Sequence, residues 1–332
     1  MSAVGARAVI LGCAGTELGV AEAAFFREAD PWGFILFARN VESPAQLRRL
    51  TDGLRAAVGR DAPVLIDQEG GRVQRMRAPL WREFLPALDQ MRRARDPIRA
   101  QWVRNRLIAA ELREAGIDVN CAPLADLVEE GTHPVLLNRL YGGEVDGVVA
   151  AARACAEGLR AGGVLPVVKH LPGYGRARVD SHLELPRNDL ALDALMARDF
   201  APFARLADIR MGMTAHIVFS AIDPERPATT SPAVMRVIRE TIGFAGLIMT
   251  DDLNMQALSG TLAERAVASL AAGVDVILQC NGKPADMEEV AGAVPALSGL
   301  ALRRAEAALA ERRSPEPVDM GALDAELAEL LA

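Results

Sequence analysis

The chain has little of what most reactive sites are built from. Among its 332 residues only four are histidine and four are cysteine. Cys13, Cys121, Cys155 and Cys280 are scattered, at neither zinc-site nor redox-pair spacing, so they are expected to be small buried apolar residues in a reducing compartment. The cytoplasm is the default location. No His-x-His or comparable cluster offers metal-ligand spacing. No apolar run is long enough to span a membrane, and the run at residues 8–11, broken at Gly12, is too short for the core of a secretory leader. No basic stripe offsets the net charge of -7, which argues against a nucleic-acid partner. Nor does a G-x-G-x-x-G open a helix after the first apolar run. Gly12-Cys13-Ala14-Gly15 is only a partial match.

What the chain does have is material for a large core, with 51% hydrophobic and 24% charged residues. Short apolar, strand-like runs fall at residues 8–11, 33–37, 62–66, 119–123, 164–168, 211–215, 246–249 and 274–278. Helical segments separate them. Ser43-Pro44 opens one with an N-cap and a proline at the first helical position, and Leu47, Leu50 and Leu54 follow at helical spacing. Ser231-Pro232 repeats the device, and Ala-, Leu- and Arg-rich stretches at 96–115, 145–161 and 261–272 complete the alternation. Eight strand-helix units without a break in composition predict an α/β fold, one (β/α)₈ barrel forming a single domain over 1–332. An open doubly wound sheet is the alternative. Residues 314–332, with Pro315 and Pro317, read as a surface extension or partner contact.

In such a barrel the C-terminal strand ends build the site. Arg39-Asn40 follows the second run, Asp67 with Glu69-Gly70-Gly71 the third, Asp126 and then Asn138-Arg139 the fourth, Lys169-His170 the fifth, His216 the sixth and Asp251-Asp252 the seventh. Some have plain structural readings: Asp252 as cap of a helix starting near Leu253, Arg72 or Arg75 in surface ion pairs, His133 as a loop residue. The convergence of Asp67, Arg139, Lys169, His170, His182, His216 and Asp251 on one mouth exceeds what a structural rim needs. The long polar stretch after Lys169-His170, with Pro172, Gly173 and Gly175 as its expected hinge, reads as a catalytic loop.

Several blocks resemble glycoside hydrolase family 3, and within it the single-domain β-N-acetylglucosaminidases of bacterial cell-wall recycling. They are residues 33–40 (GFILFARN), 66–75 (IDQEGGRVQR), 120–123 (NCAP), 169–182 (KHLPGYGRARVDSH), 214–216 (TAH) and 250–255 (TDDLNM). The resemblance implies a retaining exo-hydrolase, with no metal or organic cofactor, that removes terminal N-acetylglucosamine from 1,6-anhydro-muramyl peptides of peptidoglycan. Asp251 would be the nucleophile and His182 the acid/base with Asp180 as its partner. Asp67, Arg75, Arg139, Lys169 and His170 would hold the sugar hydroxyls. Two positions depart from the family pattern: Tyr174 stands where histidine is usual, and Asn138 where aspartate is common.

The chemistry suits these residues. A histidine with an ordinary pKa of about 6.5 can be protonated for the first step and neutral for the second without a buried acid to tune it. Residues two apart in an extended segment face one side, so Asp180 can fix the tautomer of His182. Asp251 must stay ionised, which cationic neighbours such as Lys169 would favour. Small-molecule glycans are the expected partners, with no nucleic acid and no membrane, and a monomer is expected. The competing readings are a broader β-glycosidase or phosphorylase of the same family, a metal-dependent hydrolase using His170 and His216, and a non-catalytic sugar-binding sensor.

Overall fold

The computed structural model describes residues 5–179, 181 and 184–332. Each apolar run forms a strand: β1 (Arg7–Gly12), β2 (Pro31–Leu36), β3 (Val64–Ile66), β4 (Val119–Asn120), β5 in two segments (Leu165–Pro166 and Val168–Leu171), β6 (Met211–Thr214), β7 (Leu247–Asp252) and β8 (Val276–Gln279). All pair in parallel, with β1 between β2 and β8. One arm of the ladder runs β2, β3, β4 to the first segment of β5, and the other runs β8, β7, β6 to the second. Val167 alone separates the two segments, so the ladder closes through the chain itself. The result is the (β/α)₈ barrel. An open doubly wound sheet would leave two free edges.

The strands are mostly apolar because both their faces are buried, and polar residues such as Asn120, Lys169 and Asp251 enter toward their C-terminal ends. Alternate residues divide between two cores. Ala8 and Ile10 of β1, Ile35 of β2, Leu65, Val119, Leu165 with Val167, Met211 with Met213, Leu247 with Met249, and Val276 with Leu278 form one cluster fed by every strand, which fills the barrel interior. Their neighbours Val9, Leu11, Phe34, Leu36, Val64, Ile66 and Ile248 join the larger core beneath the helices. The helix Gly299–Leu309 closes the interior cluster with Ala305 and Ala308.

The caps read from the sequence form. Ser43 Oγ accepts the Gln46 N–H at 3.3 Å ahead of the helix Pro44–Val58, and Ser231 Oγ accepts the Val234 N–H at 3.1 Å ahead of Pro232–Arg236. Helices Pro97–Glu114, Val145–Ala161 and Leu262–Ala272 fill the three Ala-, Leu- and Arg-rich stretches. No helix among the described residues is long and apolar enough to cross a membrane.

Three local expectations change. First, β5 continues to Leu171, so Lys169 and His170 lie in a strand rather than at the start of a loop. Second, Pro172, Gly173, Tyr174 and Gly175 are all buried, and a Cβ on Gly175 would run into the Leu127 carbonyl oxygen. Glycine at 175 is thus required by close packing, a reason for it that needs no hinge. Third, no helix begins at Leu253: the next one is Leu262–Ala272, capped by Thr261 with Glu264 in a reciprocal box.

The C-terminal stretch is folded back onto the barrel. Asp319 caps the helix Met320–Leu330, Leu323 is buried, and Arg99 pairs bidentately with Glu326 at 2.6 and 2.8 Å. Arg82 links Asp324, at 2.5 Å, to Glu111 of the helix Pro97–Glu114, at 2.8 Å.

Candidate active site

Strand alternation carries three charged side chains into the mouth. Continuing the interior series by two residues, Leu65 leads to Asp67, Val167 to Lys169, and Met249 to Asp251. These three line a pocket of about 240 Å³ together with Arg75, Arg139 and His170. Its floor is apolar, built from Ile35, Met213, Leu278 and Cys280. Phe37, Tyr174, Ser181 and Met255 also line it. The structure therefore gathers six of the eight site residues expected from sequence. Asp180 and His182 lie outside the described residues, and Ser181, the residue between them, lines the pocket.

The charged wall is one connected network. Lys169 Nζ lies 2.8 Å from Asp67 Oδ1 and 2.7 Å from Glu69 Oε1. Arg139 grips both oxygens of Glu69, at 2.8 and 2.9 Å, and Arg75 Nη2 reaches Asp67 Oδ2 at 3.3 Å while its guanidinium stands over the Phe37 ring. Burial alone would raise both carboxyls. For Asp67 the charges of Lys169, Arg75 and Arg139 outweigh it and hold the group well below the ordinary aspartate value. For Glu69, Arg139 and Lys169 bring it from 4.5 to about 2. Burial also opposes the charge on Lys169, but the two carboxylates hold its ammonium above the ordinary lysine value.

Sequence reasoning missed Glu69, although the rule that residues two apart share a side, applied to Asp67, would have found it. Its role has a measurable consequence. A carboxyl depressed on folding contributes stability above its ordinary pKa and loses it as pH falls through the folded value. Stability should thus decline between about pH 5 and pH 2, more steeply in the wild type than in Glu69→Gln. At pH 7, Glu69→Ala should cost about 3–5 kcal/mol by stranding Arg139 and Lys169. Urea unfolding across pH measures both, and an unchanged midpoint in Glu69→Ala would show the network is not needed for folding.

Gly70, at φ +100°, follows from this geometry. Arg104, buried within the helix Pro97–Glu114, donates to the Glu69 carbonyl, and its guanidinium occupies the space a Cβ on Gly70 would take.

Elsewhere around the mouth the side chains are held in smaller sets. His170 Nδ1 lies 2.7 Å from Asp126 Oδ2, which fixes the ring in the pocket wall. Asp126 Oδ1 accepts the Tyr174 N–H at 2.7 Å. The sequence marks Asp126 as an acid after the fourth strand-like run, but nothing local marks its partners, which lie more than forty residues away. His216, expected at the mouth, is not in the pocket lining. It lies 2.7 Å from Thr229 Oγ1 through Nδ1 and 3.1 Å from the Asp252 carbonyl through Nε2, and burial holds its pKa below the ordinary histidine value. It buttresses the end of β7.

The two aspartates there differ. Asp252 Oδ1 accepts from Asn254 and from the Cys280 N–H, at 2.9 and 3.1 Å, and burial raises its carboxyl pKa. Asp252 thus ties the loop after β7 to β8 and caps no helix. Asp251 Oδ1 accepts the Asp252 N–H at 2.8 Å. Lys169, expected beside Asp251, instead makes its ion pairs with Asp67 and Glu69.

Among the described residues no group of three or more His, Cys, Asp or Glu side chains is arranged to hold a metal ion. A larger surface cleft, about 570 Å³, lies along the helix Leu262–Ala272, and it contains none of the residues expected at the site.

A closed (β/α)₈ barrel with a carboxylate and a charge-locked polar wall at its C-terminal mouth is the architecture of a barrel enzyme, a fold shared by many chemistries. Residues 25–312 match the Glycosyl hydrolase family 3 N terminal domain, and the chain belongs to that family. It is 40% identical over 281 residues to a β-hexosaminidase of Alkalilimnicola ehrlichii, covering 82% of this chain and 80% of that protein. Its fold superposes with a TM-score of 0.88, at 30% identity and over the full length of both chains, on NagZ from Neisseria gonorrhoeae in complex with N-trifluoroacetyl-D-glucosamine. With a family 3 β-N-acetylglucosaminidase from a Paenibacillus species the TM-score is 0.81 at 29% identity, over 97% of this chain and 61% of that one. The protein is accordingly an enzyme, a glycoside hydrolase similar to the β-hexosaminidases of family 3.

Proposed function

We propose that the protein is a retaining exo-β-N-acetylglucosaminidase, with Asp251 as nucleophile and His182, supported by Asp180, as acid/base. The observation that carries this reading is the placement of Asp251 on the interior face of β7, in the same pocket as the Asp67–Lys169–Glu69–Arg139 network. A pocket of about 240 Å³ with an apolar floor suits one terminal sugar ring rather than a running chain.

In the first step an oxygen of Asp251 bonds to the anomeric carbon as the bond to the aglycone oxygen breaks, and that oxygen takes a proton from His182. In the second, His182 removes a proton from water, the water oxygen bonds to the anomeric carbon and the Asp251 carboxylate leaves. Asp67, Arg75, Arg139, Lys169 and His170 hold the hydroxyls. Ion pairs and hydrogen bonds among them and with Glu69 and Asp126 fix them before substrate arrives, so orientation costs little on binding. The blocks shared with the cell-wall branch of the family support peptidoglycan fragments carrying a 1,6-anhydro-muramyl aglycone as substrate. The four free, buried cysteines suit a reducing compartment, and we read the protein as a cytoplasmic monomer that works as one catalytic domain.

Two measurements test this. The protein should release the aglycone from an aryl N-acetyl-β-glucosaminide, and no release from that or from the muramyl disaccharide would remove the reading. Proton NMR of the first turnovers should show the β-anomer of N-acetylglucosamine, whereas initial α-anomer would exclude a covalent intermediate on Asp251.

A further inference from the structure

Tyr174 is bound at both ends. Its N–H is held by Asp126 at 2.7 Å, its ring packs 5.6 Å from the His170 ring, and the Thr132 hydroxyl donates at 2.7 Å to the carbonyl of Gly175, the next residue. The side chain is 7% exposed, and its hydroxyl oxygen accepts the Ser181 N–H at 3.1 Å. Ser181 is fastened on its other side as well, since its carbonyl accepts the Ala257 N–H at 3.2 Å. Ala257 belongs to the loop that follows Asp251. Ser181 is 5% exposed, so neither bond is replaced by water when lost.

We propose that Tyr174 is a positioning residue whose phenol oxygen, by holding the Ser181 N–H, fixes the Ser181 peptide at the pocket and so acts on the two residues bonded to it, Asp180 and His182. This rests on the proposed role of that pair. Ser181 is covalently bonded to both residues, so a shift of its peptide moves the proton donor, and a misplacement of about 1 Å can cost a hundredfold in rate. The phenol is a rigid arm of fixed length between the end of β5 and this anchor. An imidazole at position 174 is shorter and would stop short of the Ser181 nitrogen, so this chain's departure from the usual histidine is coupled to how its loop is fastened.

Tyr174→Phe keeps the ring against His170 and removes only the hydroxyl. Expected are a rise of about tenfold or more in amide hydrogen exchange at Ser181 and a fall of about ten- to a hundredfold in kcat on an alkyl N-acetyl-β-glucosaminide. The fall on an activated aryl glycoside should be at least about ten times smaller, because that leaving group needs no proton, and KM should move little. Tyr174→His should show the same pattern. Unchanged exchange at Ser181, equal losses on the two substrates, or an effect confined to KM would each overturn the proposal. Failure of the proposed function shows differently, as an absence of turnover by the wild type, with the exchange at Ser181 still reporting whether the phenol holds the segment.

Discussion

Asp251→Ala should lose turnover of an aryl N-acetyl-β-glucosaminide by roughly 10⁴-fold or more, the scale of removing a covalent nucleophile. Its unfolding should change little. The carboxylate's bond within the chain is a local one to the next residue's N–H, and the side chain is partly exposed in the pocket. Asp252→Ala gives the contrasting result: it releases Asn254 and Cys280 and should cost stability of about 1–3 kcal/mol while leaving residual activity. Adding azide to Asp251→Ala provides a stereochemical check. With the carboxylate gone, azide can attack from the vacated face, and the product is the α-glycosyl azide. Activity of Asp251→Ala near that of the wild type would sink the assignment, and total loss in Asp252→Ala with a normal melting profile would transfer it to the neighbour.

The second large effect depends on the substrate. His182→Ala should reduce kcat on alkyl glycosides and muramyl disaccharides by about 10²–10⁴-fold, the usual range for a general acid, because those leaving oxygens are poor until protonated. A dinitrophenyl glycoside leaves without help, so its first step should be nearly intact and glycosyl-enzyme should accumulate. Azide would then react with that intermediate to give the β-azide, the opposite anomer from the Asp251 variant. Equal losses on both substrate types would remove His182 from the acid role. The two variants thus separate by product stereochemistry, which a simple defect in folding or binding cannot imitate.

The barrel was legible because its strands are buried on both faces and therefore appear as uninterrupted apolar runs. The Ser-Pro caps were legible because their mechanism is local. Asp67, Arg139, Lys169, His170 and Asp251 were named by the rule that strand ends carry function, and Arg75 only by the resemblance to family 3. What escaped depends on contacts across the fold. Asp126 holds His170 and Tyr174 from more than forty residues away, and no local pattern encodes that. The Pro-Gly-Tyr-Gly stretch suggested a hinge from composition, but glycine serves tight packing as readily as motion, and Gly175 abuts Leu127. His216 looked like a mouth residue because it follows a strand, yet Thr229 and the Asp252 backbone occupy both its nitrogens. The tail carried two prolines and no obvious partner, and its partner is the helix Pro97–Glu114 of the same chain.

The interior core has a further effect. With Ile10, Leu65, Val119, Val167 and Leu247 fully buried in the barrel interior, the pocket is closed toward the barrel axis. In the proposed reaction the sugar goes in first and comes out last. The aglycone, lying outermost, departs before hydrolysis, and N-acetylglucosamine must back out the way it arrived. In that reaction the enzyme would not thread a glycan and would not act processively. Each cut ends with complete release, and N-acetylglucosamine should compete with fresh substrate far more effectively than the departed aglycone does.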